Sequence, residues 1–164
     1  MFARYILFLI ATFVCSSVFA SENSVERSLL DALVCKGNPE NVVYGLVEKK
    51  NNFKVGYAAY GFGEGTSYKA IVILSKPISV ASATTDAVIS ETENSNFDFS
   101  AFTYSKFKGD YKQVVSLLHL IPSKNSESAL GKYVSNLSGC PNSIALTPLE
   151  NGEFLLGCGW HNGC

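Results

Sequence analysis

Apolar residues recur at helical spacing in two segments near the start of the chain. Asn23 with Glu26 resembles a capping box and marks the start of the first segment. Its apolar stripe consists of Val25, Leu29, Leu30, Leu33 and Val34. Gly37 can cap this helix, while Asn38 and Pro39 suit the cap and first turn of a second one. The apolar face of that second helix consists of Val42, Val43, Leu46 and Val47.

Strict alternation replaces helical spacing from Phe53 onward and predicts β-strands. In the first strand, one face consists of Phe53, Val55, Tyr57 and Ala59. The stretch "GFGEGTS" is predicted as a flexible connection to a second strand, "YKAIVIL", so that the two form an antiparallel hairpin. A further β-rich run covers residues 78–89. We expect "SETENSN" to be an exposed loop and "FDFSAFTYSKF" to be another strand.

Two more helices and a hairpin are predicted for the rest of the chain. Asp110 and Gln113 stand at capping-box positions, and Pro122 ends the helix. Its apolar side consists of Val114, Leu117, Leu118 and Ile121. A fourth helix is predicted near Ser126, with Gly139 as its cap and with inward-facing Leu130, Tyr133, Val134 and Leu137. In the last hairpin, "SIALTPL" and "EFLLGCGW" flank the turn "ENG".

This order of elements predicts an α+β fold. We expect a single disulfide-linked domain with a mostly antiparallel sheet and helices packed on it. Residues 1–20 have one charged residue, Arg4, then an apolar run and small residues at Val18 and Ala20, which is typical of a cleaved signal peptide. The predicted mature domain covers residues 21–164, and we expect it in the periplasm or outside the cell.

Charge and hydropathy argue against a nucleic-acid partner and against a transmembrane segment. The chain has 13 basic and 14 acidic residues. Loss of Arg4 with the signal peptide leaves 12 against 14, or a net charge of −2. The lysines are scattered and form no basic stripe, so a nucleic-acid partner is not expected. No long apolar run follows Ala20, so no transmembrane segment is expected in the mature chain.

Strand register in the last hairpin orients its side chains. A three-residue turn at 150–152 sets Ile144 opposite Cys158 and Leu146 opposite Leu156. Alternation then directs four residues of the last strand toward the core, namely Phe154, Leu156, Cys158 and Trp160.

Four cysteines remain after the signal peptide, and an even number in an exported chain predicts two disulfides. The register favours Cys140–Cys164 together with Cys35–Cys158. The alternative joins Cys158 to Cys164 and Cys35 to Cys140, which would close "GWHNG" into a small ring. Spacing leaves both pairings open.

A metal site is the competing interpretation of the same residues. Cys158, His161 and Cys164 have C-x2-H-x2-C spacing, and Cys140 could supply a fourth ligand. This spacing differs from the usual zinc patterns, and an oxidising compartment removes free thiols. We therefore expect neither a metal nor a cofactor.

The segment from Cys158 to Cys164, with His161 at its centre, resembles a cysteine-bounded loop of known inhibitors. It is similar to the loop by which periplasmic inhibitors of vertebrate lysozyme occupy the lysozyme cleft. The likeness covers seven residues, with a spacing one residue longer and a position at the end of the chain. It implies a binding role for the tip of this loop.

Catalytic motifs are scarce. Neither G-x-S-x-G nor H-E-x-x-H is present, and Ser105 with Lys108 fits S-x-x-K only at a strand end. His119 falls on the polar side of its predicted helix, and Glu91 with Glu93 falls in a predicted polar loop. We assign no catalytic residue and do not expect an enzyme.

Binding residues are predicted at two glycine-rich sites. One is the predicted loop tip with Tyr60, Phe62 and Glu64, and the other is the chain end with Trp160, His161 and Asn162. Aromatic residues also fall on adjacent predicted strands, where an exposed subset would suit a protein-binding face: Tyr57, Tyr60, Tyr68, Phe102 and Tyr104.

From these features we predict that the protein is an exported binding protein. Its partner would be a protein, and its role that of an inhibitor of, or immunity protein against, a cell-wall-active or other secreted enzyme or toxin. One alternative is a small secreted hydrolase that uses His161 or His119. The other is a structural or assembly module of the cell envelope.

Overall fold

The computed structural model describes residues 22–49, 56–64, 67–95, 98–123, 131–137 and 142–161. Three helices lie in these ranges: α1 Glu22–Leu33, α2 Pro39–Glu48 and α3 Tyr111–Leu117. The first two match the predicted amphipathic helices. Pro39 begins α2 as predicted, and Asn38 stands at the cap position without a side-chain capping hydrogen bond. The predicted cap Asn23 lies inside α1. Cys35, two residues after the end of α1, is left-handed with a φ of 58°. No helix in the described ranges is long and apolar enough to cross a membrane.

Within the described residues, eight strands form one antiparallel sheet. They are β1 Tyr57–Glu64, β2 Ser67–Val80, β3 Ala83–Ser95, β4 Asp98–Lys108, β5 Ile121–Pro122, β6 Tyr133–Val134, β7 Asn142–Pro148 and β8 Glu153–His161. Their order across the sheet is β1-β2-β3-β4-β8-β7-β6-β5. The predicted mostly antiparallel sheet with helices is confirmed, and the described part is dominated by the sheet.

The hydrophobic core lies on one face of this sheet, which we call the inner face. Side chains from α1, α2 and α3 meet alternate residues of the strands there. Phe107 and Phe154 are completely buried, and their rings stack at 5.5 Å. The register predicted for the last hairpin is confirmed, because Ile144 pairs with Cys158. As predicted, Phe154, Leu156 and Cys158 are buried.

The glycine-rich segment predicted as a loop is a strand instead. β1 continues through Gly61 to Glu64, which pairs with Ser67 at the end of the hairpin. Tyr60 and Phe62 therefore lie on a strand rather than at a loop tip. Pairing with the longer strand β2 along its length outweighs the low strand propensity of glycine.

The polar stretch "SETENSN" is also a strand where it is described. Residues 90–95 complete β3 and pair with β4, for example Glu91 with Phe102. Ser90 is completely buried and shares a hydrogen bond with Thr103. Cross-strand pairing thus overrides polar composition here, and the prediction of a loop was wrong.

The prediction was also wrong after residue 117. α3 ends at Leu117, and His119 follows in a left-handed conformation with a φ of 52°. The side chains of Leu117 and Ile121 are exposed rather than buried. Where a fourth helix was expected to turn its apolar residues inward, Tyr133–Val134 forms strand β6. Residues 124–130 and Gly139, which belonged to that prediction, lie outside the described residues.

Candidate binding face of the sheet

The sheet has a second face, which we call the outer face. All three described helices contribute to the core on the inner face, where Tyr44 of α2 meets Tyr68 with a ring separation of 5.1 Å. Because successive residues of a strand alternate between faces, the other half of each strand is directed to the outer face.

One row of paired residues crosses all eight strands on the outer face. Its members are Tyr60, Ile71, Ile89, Tyr104, Gly157, Ala145, Val134 and Ile121. None of them carries a charge at neutral pH. The row is buried at Gly157 and Val134, half-buried from Ile71 to Tyr104, and 47% exposed at Tyr60. Ile121 at the far end of the row is also exposed, at 43%, but buried Val134 and Gly157 separate it from the rest. The continuous accessible part of the row therefore lies over β1–β4.

The next row on this face combines aromatic rings with an ion pair. Phe62 and Phe102 flank Lys69 and Glu91, whose charged groups lie 2.6 Å apart. The hydrogen bond and the charge of Glu91 raise the pKa of Lys69. Burial, followed by the charge of Glu91, raises the pKa of Tyr104. The two charges neutralise each other, so the surrounding apolar surface carries no net charge.

A second ion pair lies on the outer face further along β4. Lys106 contacts Glu153 of β8 at 3.2 Å. Exposed ion pairs of this kind contribute little to stability. Because the opposite charges of Lys106 and Glu153 cancel, the pair adds no net charge to the outer face. We call the five residues Tyr60, Phe62, Ile71, Ile89 and Tyr104 the docking face.

Of the predicted binding residues, Tyr60 and Phe62 lie on the docking face, and Phe62 is 58% exposed. Glu64 ends β1 and His161 ends β8, and the backbone of His161 pairs with that of Ser100. Backbone alternation places positions 64 and 161 on the outer side of their strands, with three strands between them. At a spacing of about 4.8 Å per strand, β1 and β8 are about 19 Å apart.

The two other predicted binding residues do not join this group. Backbone alternation places position 160 on the opposite side of β8, the same side as position 158. Asn162 lies outside the described residues. Of the two glycine-rich sites predicted from the sequence, the first therefore contributes Tyr60 and Phe62 to the outer face.

The structure forms one bond of the pairing that the strand register favoured. Cys35, two residues after the end of α1, is bonded to Cys158 of β8. A Cys158–Cys164 bond is thereby excluded, so the small ring that resembled the lysozyme-inhibitor loop is not closed in this way. Cys140 and Cys164 lie outside the described residues.

The candidate catalytic residues are separated in the structure. Ser105 is completely buried, whereas Lys108 is exposed, so the S-x-x-K spacing forms no site. Glu91 is paired with Lys69, and His119 is exposed in the turn after α3. Within the described ranges, no group of three or more His, Cys, Asp or Glu residues is arranged to hold a metal ion.

Ser105 has a structural role instead, beneath an irregularity in β3. The pairing of β3 with β4 shifts register between Thr84 and Ile89. Ser105 shares a 2.7 Å hydrogen bond with the Thr85 hydroxyl and donates one to the Ala87 carbonyl. These hydroxyl groups satisfy polar groups that the bulge leaves without their regular partners.

We expect Ser105→Ala to lower the free energy of unfolding by about 1–2 kcal/mol, because it removes the partner of buried polar groups. Chemical denaturation of the purified protein measures this loss. Ser79→Ala is the matched control, since Ser79 is an exposed strand residue. Equal losses for both variants would contradict the assigned role of the buried hydroxyl.

Sequence reasoning missed the aliphatic part of the docking face, Ile71 and Ile89. The signal was present in "YKAIVIL", where Ile71, Val72, Ile73 and Leu74 make consecutive positions apolar. Such a strand is apolar on both faces, whereas a half-exposed strand should alternate apolar with polar residues.

Compared with known proteins, the chain matches no family model, no curated protein and no solved structure at a significant level.

Proposed function

We propose that this chain is an exported binding protein that inhibits, or confers immunity to, a cell-wall-active or other secreted enzyme. The docking face is the surface that would contact that enzyme. The single observation that carries this proposal is the uncharged row on the outer face, which is accessible over β1–β4. Accessible apolar patches of this kind on soluble proteins commonly mark interaction sites.

The composition of the docking face favours a protein as the partner. Interface cores are enriched in aromatic residues and depleted of unpaired charge. Tyr60 and Phe62 supply exposed rings, and the nearby Lys69 and Glu91 are already paired. A partner can cover this surface without leaving a buried charge unpaired, which would be costly.

Export is supported by two independent features. Residues 1–20 have the pattern of a signal peptide. The Cys35–Cys158 disulfide suits an oxidising compartment, because disulfides persist there and are rare in the cytosol of mesophiles. A periplasmic or extracellular location would bring the docking face into contact with secreted enzymes.

Inhibition assays test this function directly. The purified protein is added to a panel of secreted lysozymes and amidases, and the residual activity of each enzyme is measured. We expect one of them to be inhibited. Tyr60→Ala/Phe62→Ala should weaken that inhibition by at least about 30-fold, because central aromatic residues often contribute 2 kcal/mol or more to binding.

The matched control is Leu117→Ala/Leu149→Ala, which removes two exposed apolar side chains that lie outside the docking face. This variant should inhibit like the original protein. Absence of inhibition across the panel, together with no enzyme recovered by pull-down from periplasmic extract, would count against the proposal. Selective binding to envelope fractions would instead favour the envelope module.

A further inference from the structure

Two rows of residues on the outer face form a nearly symmetric array over β1–β4. The first row is Tyr60, Ile71, Ile89 and Tyr104, and the second is Phe62, Lys69, Glu91 and Phe102. In each row the two ends, on β1 and β4, have the same aromatic residue type. The middle positions, on β2 and β3, have two isoleucines in the first row and the ion pair in the second. A line along the strands between β2 and β3 therefore divides the array into two halves that differ only in the sign of one charge.

We propose that two copies of the chain pack outer face to outer face, about a two-fold axis that runs along this line. The axis places β2 of one copy over β3 of the other, and β1 over β4. Ile71 then faces Ile89 of the second copy, and Tyr60 faces Tyr104. Sheets packed in this way lie about 10 Å apart with their strands within about 30° of each other, as in a β-sandwich.

Charge complementarity is the observation that favours a second copy as the occupant of this face. Lys69 faces Glu91 of the second copy, and Glu91 faces its Lys69. The two charged groups lie 2.6 Å apart within one chain, so the dimer joins two ion pairs into a ring of four alternating charges. An axis along β2 would set Lys69 against Lys69, and an axis along β3 would set Glu91 against Glu91, which is repulsive. The axis between these strands brings opposite charges together.

An axis at right angles to the strands, through the first row, is disfavoured by the same two residues. The neighbouring row on β2 and β3 consists of Ile73 and Ala87, which pair with each other. Such an axis would place Lys69 over Ile73 and Glu91 over Ala87 of the second copy. The side chains of Lys69 and Glu91 are 56% and 31% exposed, so both would lose water and gain no partner. Covering charges without new partners is unfavourable.

The size of the array indicates a reversible dimer. At about 4.8 Å per strand and about 6.6 Å per two residues along a strand, the two rows and the adjoining row at Ile73 cover on the order of 400 Å² per copy. Two such faces together remain below the roughly 1,200–2,000 Å² of standard stable interfaces. We therefore expect a dissociation constant on the order of 100 µM.

This dimer would regulate the proposed binding role, because it covers the docking face. An enzyme that uses this face would bind the monomer and shift the equilibrium away from the dimer. The dimer itself does not rest on the proposed function, since it is measured on the purified protein without any enzyme. Failure to find an inhibited enzyme therefore leaves the following test unchanged.

Analytical ultracentrifugation over a concentration series, combined with charge reversal, tests the dimer and its axis. Lys69→Glu leaves four negative groups around the axis, and Glu91→Lys leaves four positive ones. Each variant alone should dimerise at least about tenfold more weakly than the original protein, because every attraction becomes a repulsion. An equimolar mixture of the two should dimerise at least as tightly as the original protein, because each negative group then faces a positive group of the other variant.

The matched controls are Arg27→Glu and Asp31→Lys, which reverse the charges of another exposed ion pair. This pair lies on α1, which packs against the inner face. Alone and mixed, the controls should dimerise like the original protein, which separates facing charges from a general attraction between oppositely charged proteins. Circular dichroism verifies that all four variants are folded.

Three results would overturn the proposal. The first is an original protein that stays monomeric at millimolar concentration. The second is dimerisation of Lys69→Glu and Glu91→Lys alone with the original affinity. The third is a mixture of these two variants that dimerises no more tightly than either component, as an axis at right angles to the strands would predict.

Discussion

Removal of the Cys35–Cys158 bond by Cys35→Ala/Cys158→Ala should lower the free energy of unfolding by about 5 kcal/mol. The two cysteines are 123 residues apart, so their bond restricts most of the unfolded chain. In the chain-entropy description, the stabilisation grows with the logarithm of the closed loop. The bond also fixes the end of α1 to β8, which supplies part of the core. Guanidinium unfolding of the oxidised proteins measures the difference.

The matched control for this prediction is Cys140→Ala/Cys164→Ala. If the remaining cysteines pair with each other, their loop spans only 24 residues, from 140 to 164. The same description then gives a smaller stabilisation of about 3.5 kcal/mol. Peptide mapping of the unreduced protein identifies which bonds are present. Equal denaturation midpoints for the Cys35→Ala/Cys158→Ala variant and the original protein would show that this bond does not stabilise the fold.

Local signals predicted the parts of the fold that local interactions determine. Asn38 and Pro39 begin α2 as expected, and the turn at 150–152 fixes the register that places Ile144 opposite Cys158. Both depend on residues close in sequence. The strand at residues 90–95 depends instead on β2 and β4, which supply partners for a polar stretch. Composition alone could not reveal those partners.

The same distinction applies to the docking face. Tyr60 and Phe62 were predicted as binding residues at a loop tip, but a strand presents them. Their proximity to Ile71 and Ile89 follows from the pairing of three strands, which the sequence predicted only as a hairpin and a separate β-rich run. Aromatic content therefore predicted two residues of the face, while the sheet order determined its extent.

Gly157→Ala should destabilise the protein by about 3 kcal/mol, because β4 and β8 approach closely at this position. A β-carbon on Gly157 would lie 2.4 Å from the Thr103 carbonyl oxygen and 2.5 Å from Cβ of Tyr104. The nearest atoms belong to backbone and to a β-carbon, so no flexible side chain can move aside. Overpacking at such a site typically costs 1–3 kcal/mol. Thermal and chemical unfolding measure the loss.

The opposite sign is expected for Gly45→Ala, which is the matched control. Gly45 lies inside α2, and nothing lies within 4 Å of the position a β-carbon would take. Alanine should stabilise this helix by about 1 kcal/mol, since glycine is the poorer helix former. Tyr104 belongs to the docking face, so Gly157→Ala should also weaken partner binding, whereas Gly45→Ala should not. Equal stability of the two variants would show that position 157 does not need glycine to let β4 and β8 approach closely.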